Sequence, residues 1–123
     1  MTVKYTKEHE WVRVEGDTAT CGISVYAAEQ LGDIVYVELP AAGKAVKKDG
    51  EMAVVESAKA ASDVFAPISG TVVAVNEALS GDPALVNSGA ESEGWMVKLK
   101  VGDASELGAL MDEAAYKEFV GSL

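Results

Sequence analysis

The sequence has a single cysteine, Cys21, so no internal disulfide can staple the fold. Cys21 stands in Thr20-Cys21-Gly22-Ile23 and reads as a small buried residue rather than a reactive thiol. There is also a single histidine, and neither residue has a spaced partner, so no metal site is expected. Basic residues are few: 10 against 20 acids, for a formal net charge of −10. That field repels phosphate backbones and anionic lipid, and no basic stripe offsets it; nucleic acid is not an expected partner. Long apolar runs are missing too. None is long enough to span a bilayer, and the first residues carry no apolar signal run, so no membrane association and a cytoplasmic location are expected. Aromatics make up only 7% of the chain, which points to a compact core of small side chains. Finally, there is no Ser/His/Asp set, no glycine-rich phosphate loop and no evident pair of acids, so an enzyme is not expected.

What is present is a series of short strand-like runs broken by turns. Trp11-Val12-Arg13-Val14, a Glu15-Gly16-Asp17 turn and Thr18-Ala19-Thr20-Cys21 form a hairpin pattern. Further strands are expected at 34–39, 52–55, 64–66, 71–75 and 95–101. Ser24 can cap a short helix over Tyr26 to Leu31, ended by Gly32. Leu85 falls in a turn of helix after Pro83. The tail from Asp103 to Leu123 has helical spacing of its apolar residues, and Gly108 divides it into two pieces. At 123 residues this is one domain, mainly β, with two small packed sheets and a helical tail.

One internal echo stands out. Pro40-Ala41-Ala42-Gly43-Lys44-Ala45-Val46 and Pro67-Ile68-Ser69-Gly70-Thr71-Val72-Val73 both read Pro-x-x-Gly-x-x-Val. Such a repeat suggests two similar β units about a pseudo-twofold axis. Between the copies lies Val54-Val55-Glu56-Ser57-Ala58-Lys59-Ala60-Ala61-Ser62-Asp63-Val64. Strand-like residues flank a tip of Ser, Ala and one lysine, with no glycine or proline in the turn. Lysine is a common surface residue, and the chain has nine. The position of Lys59, at the apex between two repeats with small neighbours, suits covalent attachment of a group carrier. Glu56 and Asp63 nearby favour a protonated, solvated amine.

The segment Val55 to Asp63 closely resembles the lipoylation site of the glycine cleavage H proteins. Other blocks resemble that family in the same order: Lys7-Glu8-His9-Glu10-Trp11, Gly22-Ile23-Ser24, Leu31 to Pro40, Ala66-Pro67-Ile68-Ser69-Gly70, Val75 to Leu79, Leu85-Val86-Asn87-Ser88 and Glu93-Gly94-Trp95-Met96. The resemblance covers nearly the whole chain. It departs from the common pattern at Val25, Ala28, Gln30 and Ala58, and Ser88 to Ser92 lacks a familiar Pro-Tyr.

The resemblance implies a barrel-sandwich hybrid of two small antiparallel sheets, like other lipoyl and biotinyl carriers, with short helices and a C-terminal helical tail. It divides the chain into an N-terminal segment, 1–18, packed on the core, a lipoyl-binding domain, 19–101, and a C-terminal helical extension, 102–123. It implies lipoic acid in amide linkage to Lys59. The carrier would be non-catalytic. It would shuttle the aminomethyl group of glycine from a pyridoxal-phosphate glycine decarboxylase to a folate-dependent aminomethyltransferase, and be reoxidised by dihydrolipoamide dehydrogenase. A lipoate ligase or a lipoyl/octanoyl transferase would load it, and a monomer is expected. Glu10, in the His-Glu-Trp block, is the candidate contact for the loaded arm; the alternative is an ordinary solvated carboxylate. His9 reads as hydrogen-bonded or exposed, and Trp11 and Trp95 as core or sheet-face aromatics. Two other readings stay open: an H-like protein that relays lipoate, and a lipoyl or biotin carrier module of another complex. Biotin carriers usually place Met on both sides of the lysine, and acyltransferase lipoyl domains an Asp before it; here Ala58 and Ala60 flank Lys59.

Overall fold

The computed structural model describes residues 2–123; Met1, with which the expected N-terminal segment begins, lies outside the described residues. Nine strands form two antiparallel sheets. They are β1 (Thr2–Tyr5), β2 (Glu10–Glu15), β3 (Thr18–Ile23), β4 (Ile34–Glu38), β5 (Ala45–Val46), β6 (Glu51–Ser57), β7 (Ala61–Phe65), β8 (Gly70–Val75) and β9 (Val97–Val101). The larger sheet has the order β1-β2-β3-β9-β8-β5 and the smaller β4-β6-β7. The expected two-sheet, mainly β architecture is thus present. Strand β1 was not expected: its alternation of Thr, Val, Lys and Tyr is short, and it sits at a sheet edge. The last expected strand starts two residues late, at Val97, although Met96 N–H still bonds the Cys21 carbonyl of β3.

Helix α1 (Val25–Leu31) has the cap read from the sequence. Ser24 Oγ accepts the Ala27 N–H, and Gly32 follows with φ of 82°. Two short helices, α2 (Ala78–Gly81) and α3 (Leu85–Gly89), connect β8 to β9. The tail is in two pieces, a 3-10 helix (Ala104–Ala109) and α4 (Glu113–Gly121), the latter capped by Asp112; the break falls not at Gly108, which lies inside the 3-10 helix, but at extended Leu110 and at Met111, which bridges to Tyr5.

The main core lies between the sheets and is built from small and medium residues, among them Val12, Val55, Ile68, Val72, Met96 and Leu99. Cys21 is fully buried in it. A second cluster joins the two ends of the chain: Tyr5 stacks on Tyr116 with ring centroids 4.2 Å apart, and Trp11 is buried beside them. Trp11 Nε1 donates to the Ala90 carbonyl at 2.9 Å, while Trp95 is half-buried.

The two Pro-x-x-Gly-x-x-Val copies pair with each other. Val46 lies opposite Gly70 and Ala45 opposite Thr71, and further bonds run from Gly43 and Val72 across the pair. The register is itself nearly twofold: the Val of the first copy meets the Gly of the second. The two glycines nonetheless serve different needs. Gly43 has φ of 91° and open space around it, so it meets a backbone demand. At Gly70 a methyl group would stand 2.3 Å from the Lys100 carbonyl oxygen, so it meets a packing demand from β9. Gly70→Ala is therefore expected to destabilise the protein by about 3 kcal/mol, near the upper end for overpacking. Gly43→Ala should cost about 1 kcal/mol, the strain of a left-handed alanine. Urea unfolding of the two variants beside the parent checks the order.

Candidate functional site

Strands β6 and β7 form a hairpin whose loop is Ala58-Lys59. Ser57 N–H donates to the Ala60 carbonyl at 2.8 Å, which closes a two-residue turn. Such loops usually need positive φ at a central position. Here neither central residue has it; among the described residues, the non-glycine positions with positive φ are His9 and Asp49. Ser57 supplies the missing support. Its hydroxyl accepts the N–H groups of Lys59 (3.2 Å) and Ala60 (3.1 Å) and lies 3.2 Å from the Ala60 carbonyl. Ser57 is buried, while residues 58–61 are exposed. The hydroxyl thus ties the turn from below and leaves the lysine free above it.

Among the described residues the ion pairs are Lys48–Asp49 and Lys117–Glu113, so Lys59 is paired with neither Glu56 nor Asp63. Its stem lies over Gly32, the residue that ends α1. A methyl at Gly32 would stand 3.3 Å from Lys59 Cε and 3.8 Å from Nζ.

Next to Gly32 begins a cleft of about 340 Å³ between α1, the β1–β2 turn and the lysine hairpin. Tyr26, Ile23, Leu31, Val55 and Val64 give it apolar walls; Gln30, His9, Ser62 and the carboxylates of Glu8, Glu10 and Asp63 give it polar ones. Glu10 is not a solvated carboxylate: it is only 2% exposed. Thr6 Oγ donates to its Oε1 at 2.6 Å, and Phe65 N–H donates to Oε2 at 3.3 Å. Burial raises its pKa from 4.5 to about 7, and the nearby charges of Glu8 and Asp49 add to the rise; the two hydrogen bonds oppose it.

His9 lines the same cleft and is hydrogen-bonded, as expected: its Nδ1 lies 2.8 Å from Tyr116 Oη, which also lies 2.6 Å from Ser24 Oγ. Burial lowers the pKa of His9, with Glu8 opposing. Tyr116 was not singled out from the sequence. It comes from α4, and its place beside His9 depends on the Tyr5 stack and the bridge between Tyr5 and Met111. Of the positions that depart from the common family pattern, Gln30 lines the cleft and Ala28 is buried under α1. Val25 is exposed, with its N–H on Glu91 Oε2, and Ala58 is half of the lysine turn.

An apolar-walled cleft with one buried carboxylate, joined through Leu31 and Gly32 to the stem of an exposed lysine, suits a long aliphatic arm with a polar end. Two packed sheets that present a lysine on a tight hairpin define a cofactor-arm carrier rather than a fold built around a catalytic cavity. The comparisons with known proteins make that class specific. The family model described as glycine cleavage H-protein matches residues 3–122, and the chain belongs to this family, the lipoyl carriers of the glycine cleavage system. It is therefore a carrier component and not by itself a catalytic enzyme. A glycine cleavage system H protein of Beijerinckia indica subsp. indica is 59% identical over 120 residues, covering 98% of this chain and 97% of that protein. One from Caulobacter vibrioides is 58% identical over 121 residues, covering 98% and 100%. The crystal structure of a glycine cleavage system H protein from Mycobacterium marinum superposes with a TM-score of 0.86 at 34% identity, covering 98% of this chain and 95% of that one. Among the described residues no helix is long and apolar enough to cross a membrane.

The Glu10 environment has a thermodynamic consequence. The folded state binds this proton more tightly than the unfolded chain, so stability is greatest below pH 4.5 for this group and falls as pH rises from 4.5 through about 7. The difference between 4.5 and about 7 corresponds to roughly 3 kcal/mol at most. Glu10→Gln is expected to remove that slope. Urea midpoints of parent and variant at several pH values between 4.5 and 8 test it; parallel curves would show that Glu10 is charged in the fold throughout.

Proposed function

We propose that Lys59 is the attachment point for lipoic acid and that Glu10 receives the end of the arm when it folds into the cleft. The observation that carries this is the setting of Lys59: an exposed, unpaired amine on a two-residue turn, with its stem lying over Gly32, the residue after cleft-lining Leu31. When bound, the lipoyl group supplies a dithiolane that accepts the one-carbon unit of glycine and is then reoxidised. The protein's own residues do the rest. Ser57 holds the turn, Ala58 and Ala60 leave the amine clear of neighbours, and the apolar walls from α1 and β7 exclude water from the arm. Glu10 places a carboxylate where a cationic arm end would need a partner, since an unpaired charge in such a cleft is costly.

The partners follow from membership of the glycine cleavage system: a pyridoxal-phosphate glycine decarboxylase, an aminomethyltransferase, dihydrolipoamide dehydrogenase, and a lipoate ligase or lipoyl/octanoyl transferase that loads the lysine. The working form is a cytoplasmic monomer on this reading. The division into 1–18, 19–101 and 102–123 is retained as a description of where the arm-bearing part lies.

Amide formation removes one positive charge, so the formal net charge goes from −10 to −11. Incubation with lipoate ligase, lipoate and ATP is expected to add one lipoyl group by intact mass and to speed migration in a native gel. Lys59→Arg should show neither change. Modification of that variant, or of a second lysine in the parent, would move the site elsewhere.

A further inference from the structure

The lysine turn rests on a second turn, and that turn is held by one side chain far away in the sequence. Ala58 N–H donates to the Asp33 carbonyl at 3.3 Å, and the Lys59 stem lies over Gly32. Residues 32–34 join α1 to β4; Ile34 pairs with Ser57 at the end of the ladder, and the β4–β6 register shifts between Ile34 and Tyr36, so the pairing is irregular beside the turn. Asn87, on α3, spans them with both ends of its amide. Nδ2 donates to the Gly32 carbonyl at 2.8 Å, and Oδ1 accepts the Ile34 N–H at 2.8 Å. The side chain thus acts as a short piece of strand, satisfying one donor and one acceptor two residues apart. Gly32 completes the arrangement, because its φ of 82° turns the chain there and its missing Cβ leaves the space the lysine stem occupies.

The geometry points to Asn87 as a positioning residue: it fixes the Gly32–Ile34 turn as a platform that orients the Lys59 amine for loading. This rests on the reading of Lys59 as the attachment point. In loading, the neutral Lys59 nitrogen bonds to the acyl carbon of lipoyl-adenylate, the acyl–phosphate bond breaks, AMP leaves with the electron pair, and one proton passes to solvent. Attack of this kind depends on the angle at which the amine is presented. The platform acts only through the turn and the stem, without contact to the acyl donor.

Asn87 is exposed, so its replacement leaves the core intact. Two variants are useful. Asn87→Ala removes both bonds. Asn87→Asp keeps the volume and the acceptor for Ile34 but sets a carboxylate oxygen against the Gly32 carbonyl. Two measurements apply to each: amide hydrogen exchange on the unmodified full chain, and the kinetics of loading by lipoate ligase with lipoate and ATP. The Ala58 amide is expected to exchange about tenfold faster in Asn87→Ala, the loss of roughly two net hydrogen bonds. The Ala66 amide, which bonds the Gly50 carbonyl at the base of the same hairpin, should be unchanged. Loading should slow by about tenfold through kcat, with KM close to that of the parent, because the docking surface remains while the amine is misaimed. Asn87→Asp should move in the same direction. Unchanged Ala58 exchange, equal loosening at Ala66, or loading rates equal to the parent's would overturn the platform. Failure of the Lys59 assignment looks different: the parent would take no lipoate, or Lys59→Arg would still take it. The exchange measurement needs no lipoate and decides the platform in either case.

Discussion

The lysine hairpin depends on a backbone ladder at its base. The chain crosses from the larger sheet to the smaller one between β5 and β6 and returns between β7 and β8. Those two crossings run side by side and stay bonded throughout. Val46 pairs with Gly70, Asp49 N–H bonds the Ala66 carbonyl, Ala66 N–H bonds the Gly50 carbonyl, and Glu51 then pairs with Phe65. Lys48 N–H is taken by Ser69 Oγ, and Glu106 in turn receives the Ser69 N–H and hydroxyl. A paired antiparallel arm therefore runs from the Gly43–Val72 bond to Ser57 and Ala60, with a turn at Lys47–Gly50 and a register shift between Glu51 and Ala53. The bonds on either side of these irregularities tie the direction of the lysine hairpin to the two sheets.

That rigidity ends at the tip, and it ends abruptly. A two-residue loop with no positive φ does not match the twist of its strands. The Ser57 hydroxyl makes it tolerable by serving two N–H groups that the loop leaves unpaired. Beyond that hydroxyl the lysine stem is flanked in the chain by Ala58 and Ala60 and lies over Gly32. The result is a backbone that is tied and a side chain that is exposed and unpaired, which suits the proposed role of Lys59 as the attachment point. The α1–β4 turn gives the tip its one outside support, through Asp33 and Gly32.

The parts legible in the sequence were those written locally. The lysine hairpin could be read because its small tip residues and flanking strands are contiguous, and α1 because Ser24 and Gly32 bracket it. The repeat was visible as a pattern, but its cause was not uniform. Gly43 and Gly70 occupy the same motif position, yet one answers a torsion and the other the approach of β9, and only the fold tells them apart. Burial of Glu10 was not legible. It arises from Thr6 and Phe65, 4 and 55 positions away, and nothing near Glu10 marks a carboxylate for the interior. The Tyr116–His9–Ser24 network was hidden for the same reason: it joins α4 to the first turn across more than a hundred residues. Asn87 sits in a block that was recognised, but its amide bonds reach 53 and 55 residues back, to Ile34 and Gly32, and have no local signature.

The setting of Glu10 also bears on how a carrier can hold and release an arm with one cleft. A carboxylate buried beside Ile23, Val55 and Val64 would be costly if it were always charged. Burial raises its pKa to about 7, so the charged form costs more in the cleft than in water. On the proposal that Glu10 receives the arm end, a cationic end would favour the charged carboxylate, and Thr6 and the Phe65 amide already point donors at both oxygens. A carboxylate of ordinary pKa would bind the same cation but would leave an unpaired charge behind on release. A neutral amide would avoid that charge and lose the attraction. On the same proposal, Glu10 adds a buried carboxylate that the arm end would meet inside a cleft whose mouth already carries the exposed Glu8 and Asp63.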